Sequence, residues 1–387
     1  MSAAPASPLP VSEASFSQAV RSERVAAALG ITLGIAFTIC FVTGVISHLV
    51  QEPPGWFSWP SRPAGLYRIT QGLHVTTGIA SIPLLLAKLW VVYPKLFAWP
   101  PVRSAAHAIE RLALLPLIGG SLLLLTTGLA NINIWRPWAF SFRAGHNAGA
   151  WIVMGALVIH VMAKRAVTIN ALRPTRGSEA ARATTPAVGL DRRGFVATIA
   201  AASALLVVVT VGQAYSPLRK LALLTPRRPD AGPQGFPVNR TAASVQLERV
   251  DLAQYRLVVD GPGAPHPLSL SYRDLQAMSQ HEAELPIACV EGWSTSQRWA
   301  GVRVRDLLDL AGATPGAEVV AHSMQASRRQ QTAPVSTEHS RDRDTLIALT
   351  VNGEVLHPDH GFPARLIGPN RPGVHQTKWV ARLEVRS

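Results

Sequence analysis

Charge is scarce in this sequence: 16% of its 387 residues are Asp, Glu, Lys or Arg, where an ordinary soluble protein carries about 25%. That shortfall excludes a chain built only of solvated globular domains, and a hydrophobic content of 48% points to membrane-embedded sequence. Cysteine is scarcer still, with two residues in all. Cys40 lies inside an apolar run and Cys289 far downstream in polar surroundings, so the two are poorly placed for a disulfide and Cys289 stands as a lone thiol. No internal repeat and no basic-aromatic binding motif occurs, so the net charge of +14 does not indicate nucleic acid. Many of the Lys and Arg residues flank apolar runs instead, as membrane topology requires. The Ala-, Ser- and Pro-rich start, residues 1–20, lacks a compact cleavable signal peptide and reads as a disordered tail.

What is present is apolar length. Five runs, at about Val25 to Val50, Ile69 to Val92, Leu112 to Ile132, Ala148 to Val167 and Phe195 to Ala214, each come near the ~20 residues that cross a bilayer. They predict a transmembrane helical domain over residues 21–214. Lys164, Arg165, Arg173, Arg176, Arg182, Arg192 and Arg193 cluster between the fourth and fifth runs. Cytoplasmic loops retain such residues, so that loop is expected inside, together with the N-terminus and the loop carrying Lys95, Arg103 and Arg111. An odd number of spans then places everything after Tyr215 outside the cytoplasm. Asp191-Arg192-Arg193-Gly194-Phe195-Val196 resembles a twin-arginine export signal placed internally, and an ordinary positive-inside anchor accounts for it equally well.

Residues 215–245 are rich in Pro and Arg (Pro217, Pro226, Pro229, Pro233, Pro237) and read as a linker. Residues 246–387 carry the pattern of a compact α+β domain. Tyr255, Leu257 and Val259 alternate as a strand, Ser271 caps a helix from Tyr272 to Met278, and Leu285 to Val290 is a buried strand. Val304 to Leu310 is helical and stops near Gly312; Glu318 to His322, Ala364 to Ile367 and Val380 to Val385 are further strands. The whole is therefore multi-domain: an N-terminal α-helical transmembrane bundle of about five helices and a C-terminal α+β domain.

Cys289 stands at a strand end, where a thiolate, a soft metal ligand, is presented rigidly. A buried structural thiol is the common alternative for such a residue. The surrounding words are more specific. Cys289-Val290-Glu291-Gly292-Trp293-Ser294, Trp299-Ala300-Gly301-Val302 and Asp306-Leu307-Leu308 resemble the molybdopterin-binding domain of the sulfite oxidase superfamily. A second segment follows in the family's order: Asn352-Gly353-Glu354-Val355-Leu356, His360-Gly361-Phe362-Pro363-Ala364-Arg365-Leu366 and Lys378-Trp379-Val380. The resemblance spans Leu247 to Ser387 and implies a sulfite-oxidase-type fold, a molybdenum-molybdopterin cofactor and two-electron oxygen-atom transfer. It makes Cys289 the protein thiolate on molybdenum and puts Asn352, His360, Arg365 and Lys378 at or near the pterin and its phosphate, where Arg offers a fork of donors and Lys a compact charge. Glu291, two residues beyond the ligand, is placed to handle protons, or else pairs with an arginine such as Arg298.

The sequence departs from the family in places. Gly373 is followed by Val374 and His375 where a Lys is common, which puts one phosphate contact in question. Arginines that hold sulfite are replaced after the cysteine by Glu291, and the Cys-Val-Glu-x-Trp wording is closer to the bacterial periplasmic protein-methionine-sulfoxide reductases. No room follows Ser387 for the immunoglobulin-like dimerisation domain of sulfite oxidases. Arg298, Arg328 and Arg329 suit an anionic or sulfoxide oxygen, and equally a solvated surface.

The apolar half carries histidines. His74 opens the second run and His107 precedes the third, while His146 and His160 bracket the fourth; His48 closes the first. Ionisable residues at membrane depth are functional candidates, and two residues 14 apart on a helix lie about 21 Å apart and within ~40° of one face. Bis-histidine pairing of His146 with His74 (or His48) and of His160 with His107 would hold up to two b-type haems. This placement resembles bacterial di-haem cytochrome b subunits. Gly72, Gly78, Gly119, Gly120, Gly149 and Gly155 would allow close approach, and Trp56, Trp59, Trp135 and Trp138 suit an aromatic belt. The expected protein is a multi-pass enzyme of a bacterial-type cytoplasmic membrane, with lipid around it, an extracytoplasmic catalytic domain, a small-molecule or sulfoxide-type substrate and a membrane quinone as electron partner. The competing readings are a metal-free, membrane-anchored binding protein with a degenerate pterin fold, and a thiol peroxidase, for which no resolving Cys is evident.

Overall fold

The computed structural model describes residues 19–386 except 99, 101, 136, 174–190, 212–215, 226, 229 and 326–330. The tail up to residue 18, Arg176, Arg182, Ala214, Tyr215, Pro226, Pro229, Arg328 and Arg329 therefore lie outside the described residues. Two compact units emerge: the described residues up to Gly44 with Leu73–Thr210, and Val45–Gly72 with the described residues from Val211 onward.

The first unit is helical. Its elements are α1 (Glu23–Gln51) and α2 (Leu66–Val92), whose far ends belong to the second unit, then α3 (Ala105–Ile132), α4 (Phe142–Leu172) and α5 (Arg192–Val211). All five are long and apolar enough to cross a membrane by length and composition. They run past the predicted apolar stretches because their polar ends are also helical. Ser104 caps α3 by accepting from His107 N, and Asp191 accepts from Gly194 N at the start of α5, so Arg192 and Arg193 sit in that helix's first turn. Val25, Leu29 and Leu33 of α1 pack against Leu84, Leu85 and Val91 of α2. Side chains such as Leu115, Met162 and Leu205 stay more than 60% exposed, so large apolar side chains face outward as well as into the seams.

Among the described residues the second unit holds ten strands. β1 (Leu257–Asp260), β2 (Leu268–Leu270), β5 (Glu318–Ser323), β6 (Thr332–Val335) and β10 (Val380–Arg386) form one sheet in the order β2-β1-β10-β5-β6, with β1 and β10 parallel. β3 (His281–Ala288), β4 (Ser294–Arg303), β7 (Leu346–Val351) and β8 (Glu354–Val355) form the other, and β9 (Arg365–Ile367) pairs with β7. The helices α6 (Tyr272–Ala277) and α7 (Val304–Leu310) begin where the sequence signals them, α6 with a full capping box from Ser271 and Asp274. One core gathers Leu257, Leu275, Leu307, Ile347 and Leu383, and a second gathers Leu285, Trp293, Trp299, Leu346 and Phe236.

Phe236 belongs to the stretch read as a linker. That stretch has only short helical turns, yet Phe236 is fully buried, its ring against Trp299 and stacked on His360 at 3.6 Å. Residues 216–245 lack periodicity because they contribute single anchors to the unit's surface rather than a face of a regular element.

Candidate active site

The site grows from one hairpin. β3 and β4 pair antiparallel up to Ala288 and Ser294, and the connection Cys289-Val290-Glu291-Gly292-Trp293 closes with Cys289 N donating to Trp293 O at 3.0 Å and Gly292 N donating to Cys289 O at 3.1 Å. Gly292 takes φ 88, a conformation that favours glycine. The turn thereby directs Cys289 (4% exposed) and Glu291 (7%) inward. The pocket at the thiol is lined by Phe236, Asn239, Trp293, Arg365 and Lys378 as well as Cys289.

Burial, reinforced by the Glu291 carboxylate, pushes the Cys289 thiol well above its ordinary value, so the free thiol keeps its proton and a metal ion would have to displace it. Glu291 Oε2 accepts from Trp293 Nε1 at 3.1 Å and lies 3.0 Å from Arg227 Nε. The expected Arg298 partner is not used: Arg298 is exposed and its backbone N donates to Asn352 Oδ1. Arg227 lies in the supposed linker, with its other end on Val238 O.

Arg365 is buried (4% exposed), donates through Nη1 to His360 O at 3.2 Å and lies over the Trp299 ring. Lys378 Nζ donates to the carbonyls of Asp359 at 2.6 Å and Arg240 at 2.8 Å. Burial draws both cations below their ordinary values, and at Lys378 the Arg365 charge adds to it. Among the described residues neither forms an ion pair with a carboxylate, and Arg365 Nε and His360 Nδ1 are buried with no hydrogen-bond partner. His360 (1% exposed) donates from Nε2 to Pro233 O at 2.7 Å, and burial pulls it down to about 3. Two enclosed cations with spare donors beside a thiol fit a soft metal carried on an anionic, phosphate-bearing group, because such a group supplies the missing counter-charge.

Asn352 is elsewhere. It is exposed in the Asn352-Gly353 turn joining β7 and β8, with φ 54 and 84 at the two positions, and its side chain bonds Arg298 N and Gln297. Asn-Gly is the preferred pair for such a hairpin, so the motif is a turn and not a wall of the pocket. Asn239 and Phe236 occupy the wall instead, and nothing in their local sequence announces it.

In the helical unit His74 and His146 face each other, ring centroids 6.2 Å apart. His74 Nδ1 donates to Cys40 O at 2.8 Å, and Thr127 Oγ1 lies 3.4 Å from His146 Nδ1. Gly44 and Gly128 are the glycines beside these rings: a Cβ would stand 3.0 Å from His74 Cε1 and 3.7 Å from His146 Cε1. Of the glycines expected to serve that purpose, Gly72, Gly119 and Gly155 face open space. His107 is not brought to His160: it accepts from Arg103 N in the cap of α3, and His160 Nδ1 is buried without a partner. Glu110 pairs with Lys164 at 2.6 Å nearby on the same two helices, α3 and α4.

A β-sheet unit with a buried thiol in a cation-lined pocket fits a site for an anionic cofactor. The family model described as the oxidoreductase molybdopterin binding domain matches residues 243–387. The uncharacterized oxidoreductase YuiH of Bacillus subtilis (strain 168) is 32% identical over 151 residues, 38% of this chain and 73% of that protein. Mitochondrial sulfite oxidase of Mus musculus is 29% identical over 177 residues, 39% of this chain and 32% of its own length. A putative protein-methionine-sulfoxide reductase subunit, YedZ1 of Azospira oryzae, is 29% identical over 151 residues, 39% of this chain and 56% of its own. The chain thus spans about a third of the sulfite oxidase and about half of the YedZ1 protein that it matches. It belongs to the oxidoreductase molybdopterin-binding family, the sulfite oxidase family, and is a molybdopterin oxidoreductase.

Proposed function

We propose that this chain is a membrane-bound enzyme that transfers oxygen atoms at an extracytoplasmic molybdenum site, on a sulfoxide- or sulfite-type small molecule, and exchanges electrons with membrane quinone through haem b. The observation that carries the reading is the Cys289 thiol in a pocket whose cations, Arg365 and Lys378, have no carboxylate partner among the described residues. The names of the sulfite oxidase and sulfoxide reductase relatives support the substrate class.

The molybdenum-pterin group, when bound, supplies the two-electron oxygen-atom chemistry. Cys289 would be its protein ligand. Arg365, with its spare Nε, and Lys378 would hold the pterin's phosphate, while His360, kept neutral by burial, would offer the pterin its unpartnered Nδ1 edge. Glu291 is held by Trp293 and Arg227 beside the thiol, and its carboxylate would handle protons there. Phe236 and Trp293 exclude water from the thiol. Asn239 at the pocket wall adds an amide able to orient the substrate.

Five helices of spanning length and the basic residues between α4 and α5 support a multi-pass protein of a bacterial-type cytoplasmic membrane, with the chain after α5 outside. Arg192 and Arg193 would act there as the inside anchor or as an export signal. For haem, two imidazoles on one iron need ring centroids about 6 Å apart, twice a ~2 Å metal–nitrogen bond plus the ring's own reach, and His74 and His146 stand at 6.2 Å. With His74 Nδ1 engaged by a carbonyl, its Nε2 is the nitrogen left for metal. One haem at this pair, rather than two, is the better-supported number, since His160 and His107 do not meet.

The test is the molybdenum and iron content of the detergent-purified chain from a host able to make the cofactor, beside Cys289→Ala. About one molybdenum per chain, lost in the variant, together with a reducible b-type spectrum, is the expected result. A wild type without molybdenum would sink the catalytic reading.

A further inference from the structure

The segment joining α1 to α2 is not a slack connection. It belongs to the same compact unit as Cys289, and it closes around a single residue, Asn370, which is 1% exposed with φ 53. Asn370 N donates to Ala64 O at 2.9 Å, and its carbonyl accepts from Trp59 Nε1 at 3.1 Å. Its side-chain Oδ1 accepts from Tyr67 N at 2.6 Å while Nδ2 donates to Pro60 O at 2.6 Å. Every backbone and side-chain polar group of this residue therefore has a partner between Trp59 and Tyr67, and the His339 side chain also contacts its backbone. Around it, Arg62 pairs with Asp342 and Asp344, and His375 Nε2 donates to Gln51 O at 3.0 Å.

The same residues reach the thiol. Tyr67, 1% exposed, and Val50 pack against Ala288, the residue before Cys289. From the other side Pro372 forms a parallel bridge with Ala288, and Gly373 lines the pocket, so close that a Cβ there would stand 3.1 Å from Ala288 O. Ala288 is thus held between the start of α2 and the turn 369–373, and Asn370 fastens these two supports to each other. A ligand on a strand end keeps its direction only when the groups behind it are locked.

We propose that Asn370 is a positioning residue for the Cys289 site, and that the α1–α2 segment of the same unit is its supporting shell, so that the catalytic thiol is aimed by residues 50–67 as well as by residues 246–387. Its meaning for catalysis rests on the molybdenum reading of Cys289, but the mechanical claim does not.

The experiment uses the full chain in detergent. Asn370→Gly keeps the left-handed backbone free of strain while deleting both side-chain bonds, and Trp59→Phe removes the indole N–H donated to Asn370 O while keeping an aromatic ring at the position. Trp56→Ala, at a residue 77% exposed on the same segment, is the control. Amide hydrogen exchange is followed in residues 286–293 and 368–376, and the Mo(V) paramagnetic resonance signal is recorded on metal-loaded protein. The expected result for Asn370→Gly is protection lowered about ten-fold or more in both segments, with a Mo(V) signal that is shifted or split at unchanged molybdenum content. Trp59→Phe should move both in the same direction and Trp56→Ala neither. Protection lost only within 52–67, with 286–293 and the Mo(V) signal as in the wild type, overturns the proposal. If Asn370→Gly does not accumulate, Trp59→Phe decides by the same two readouts. Protein without molybdenum would count against the proposed function, while the exchange data would still decide the positioning role.

Discussion

His339 is 5% exposed, with Ser336 Oγ 2.8 Å from its Nδ1 and no partner for its Nε2. Burial foremost, then the Arg371 charge, pulls it from its ordinary 6.5 down to about 3, with Asp342 and a backbone contact at Asn370 opposing. An unfolded chain takes up this proton near 6.5 and the folded chain only near 3, so the unfolded state binds more protons in between and stability falls as pH drops through that window. A single group contributes about 1.4 kcal/mol per pH unit there. The melting temperature of the detergent-solubilised chain, followed by tryptophan fluorescence, should therefore decline from pH 6.5 to 4, and His339→Gln should make that decline shallower. An identical slope in the variant would exclude His339 as the titrating group. At this scale the residues legible in the sequence were those whose type alone states a chemistry: the lone cysteine, and Arg365 and Lys378, both of which line its pocket. Asn352 sits in an exposed turn, because Asn-Gly is also a favoured pair for a tight hairpin. Arg227, Asn239 and Phe236 were not legible, since what recruits them to the site is tertiary contact across a stretch without periodicity.

Among the elements, strands that alternate or carry caps were readable: β1, β5, β10 and the two helices α6 and α7 fall within a few residues of the expected positions. β4 and β7 were not anticipated. β4 opens with Ser294, Thr295, Ser296, Gln297 and Arg298, too polar for a core strand, and β7 is a short continuous apolar run whose period is invisible. Yet these two approach each other closely at one residue. At Gly301 the β4–β7 register shifts, and a Cβ would fall against Ile347 O and 2.7 Å from Ala348 Cα, backbone that cannot swing away. Gly301→Ala should force the strands apart and cost about 1–3 kcal/mol, read as a lower melting temperature and faster proteolysis of the C-terminal unit. Since β4 continues from the Cys289 hairpin, the loss should extend to the thiol, making Cys289 reactive to a maleimide that the wild type resists. Wild-type stability and an unreactive thiol in the variant would mean that the sheet absorbs the methyl group. Trp59 teaches the same lesson as β4: it donates its N–H to Asn370, and only the fold could reveal that partner.

For the molecule as a whole, the two proposed redox centres draw on separate sets of donors. Cys289, Arg365 and Lys378 belong to the unit that contains the β-sheets, and His74 and His146 to the helical unit. Long apolar runs made the helices legible, because a run of ~20 apolar residues is displayed directly in the sequence, whereas the pairing of histidines depends on helix rotation and crossing, which composition does not record. His74 and His146 stand with ring centroids 6.2 Å apart, whereas His107 is engaged in the cap of α3. If the donor sets are independent, loading should be independent too. His74→Ala and His146→Ala should each abolish the b-type absorption of the purified chain and leave its molybdenum content unchanged, because neither residue touches the pterin pocket. Cys289→Ala should do the reverse, and His107→Ala should leave both signals in place. A His146→Ala protein that loses molybdenum along with iron would show that the two sites assemble together, and a spectrum that survives both His74→Ala and His146→Ala would remove this pair as the haem ligands.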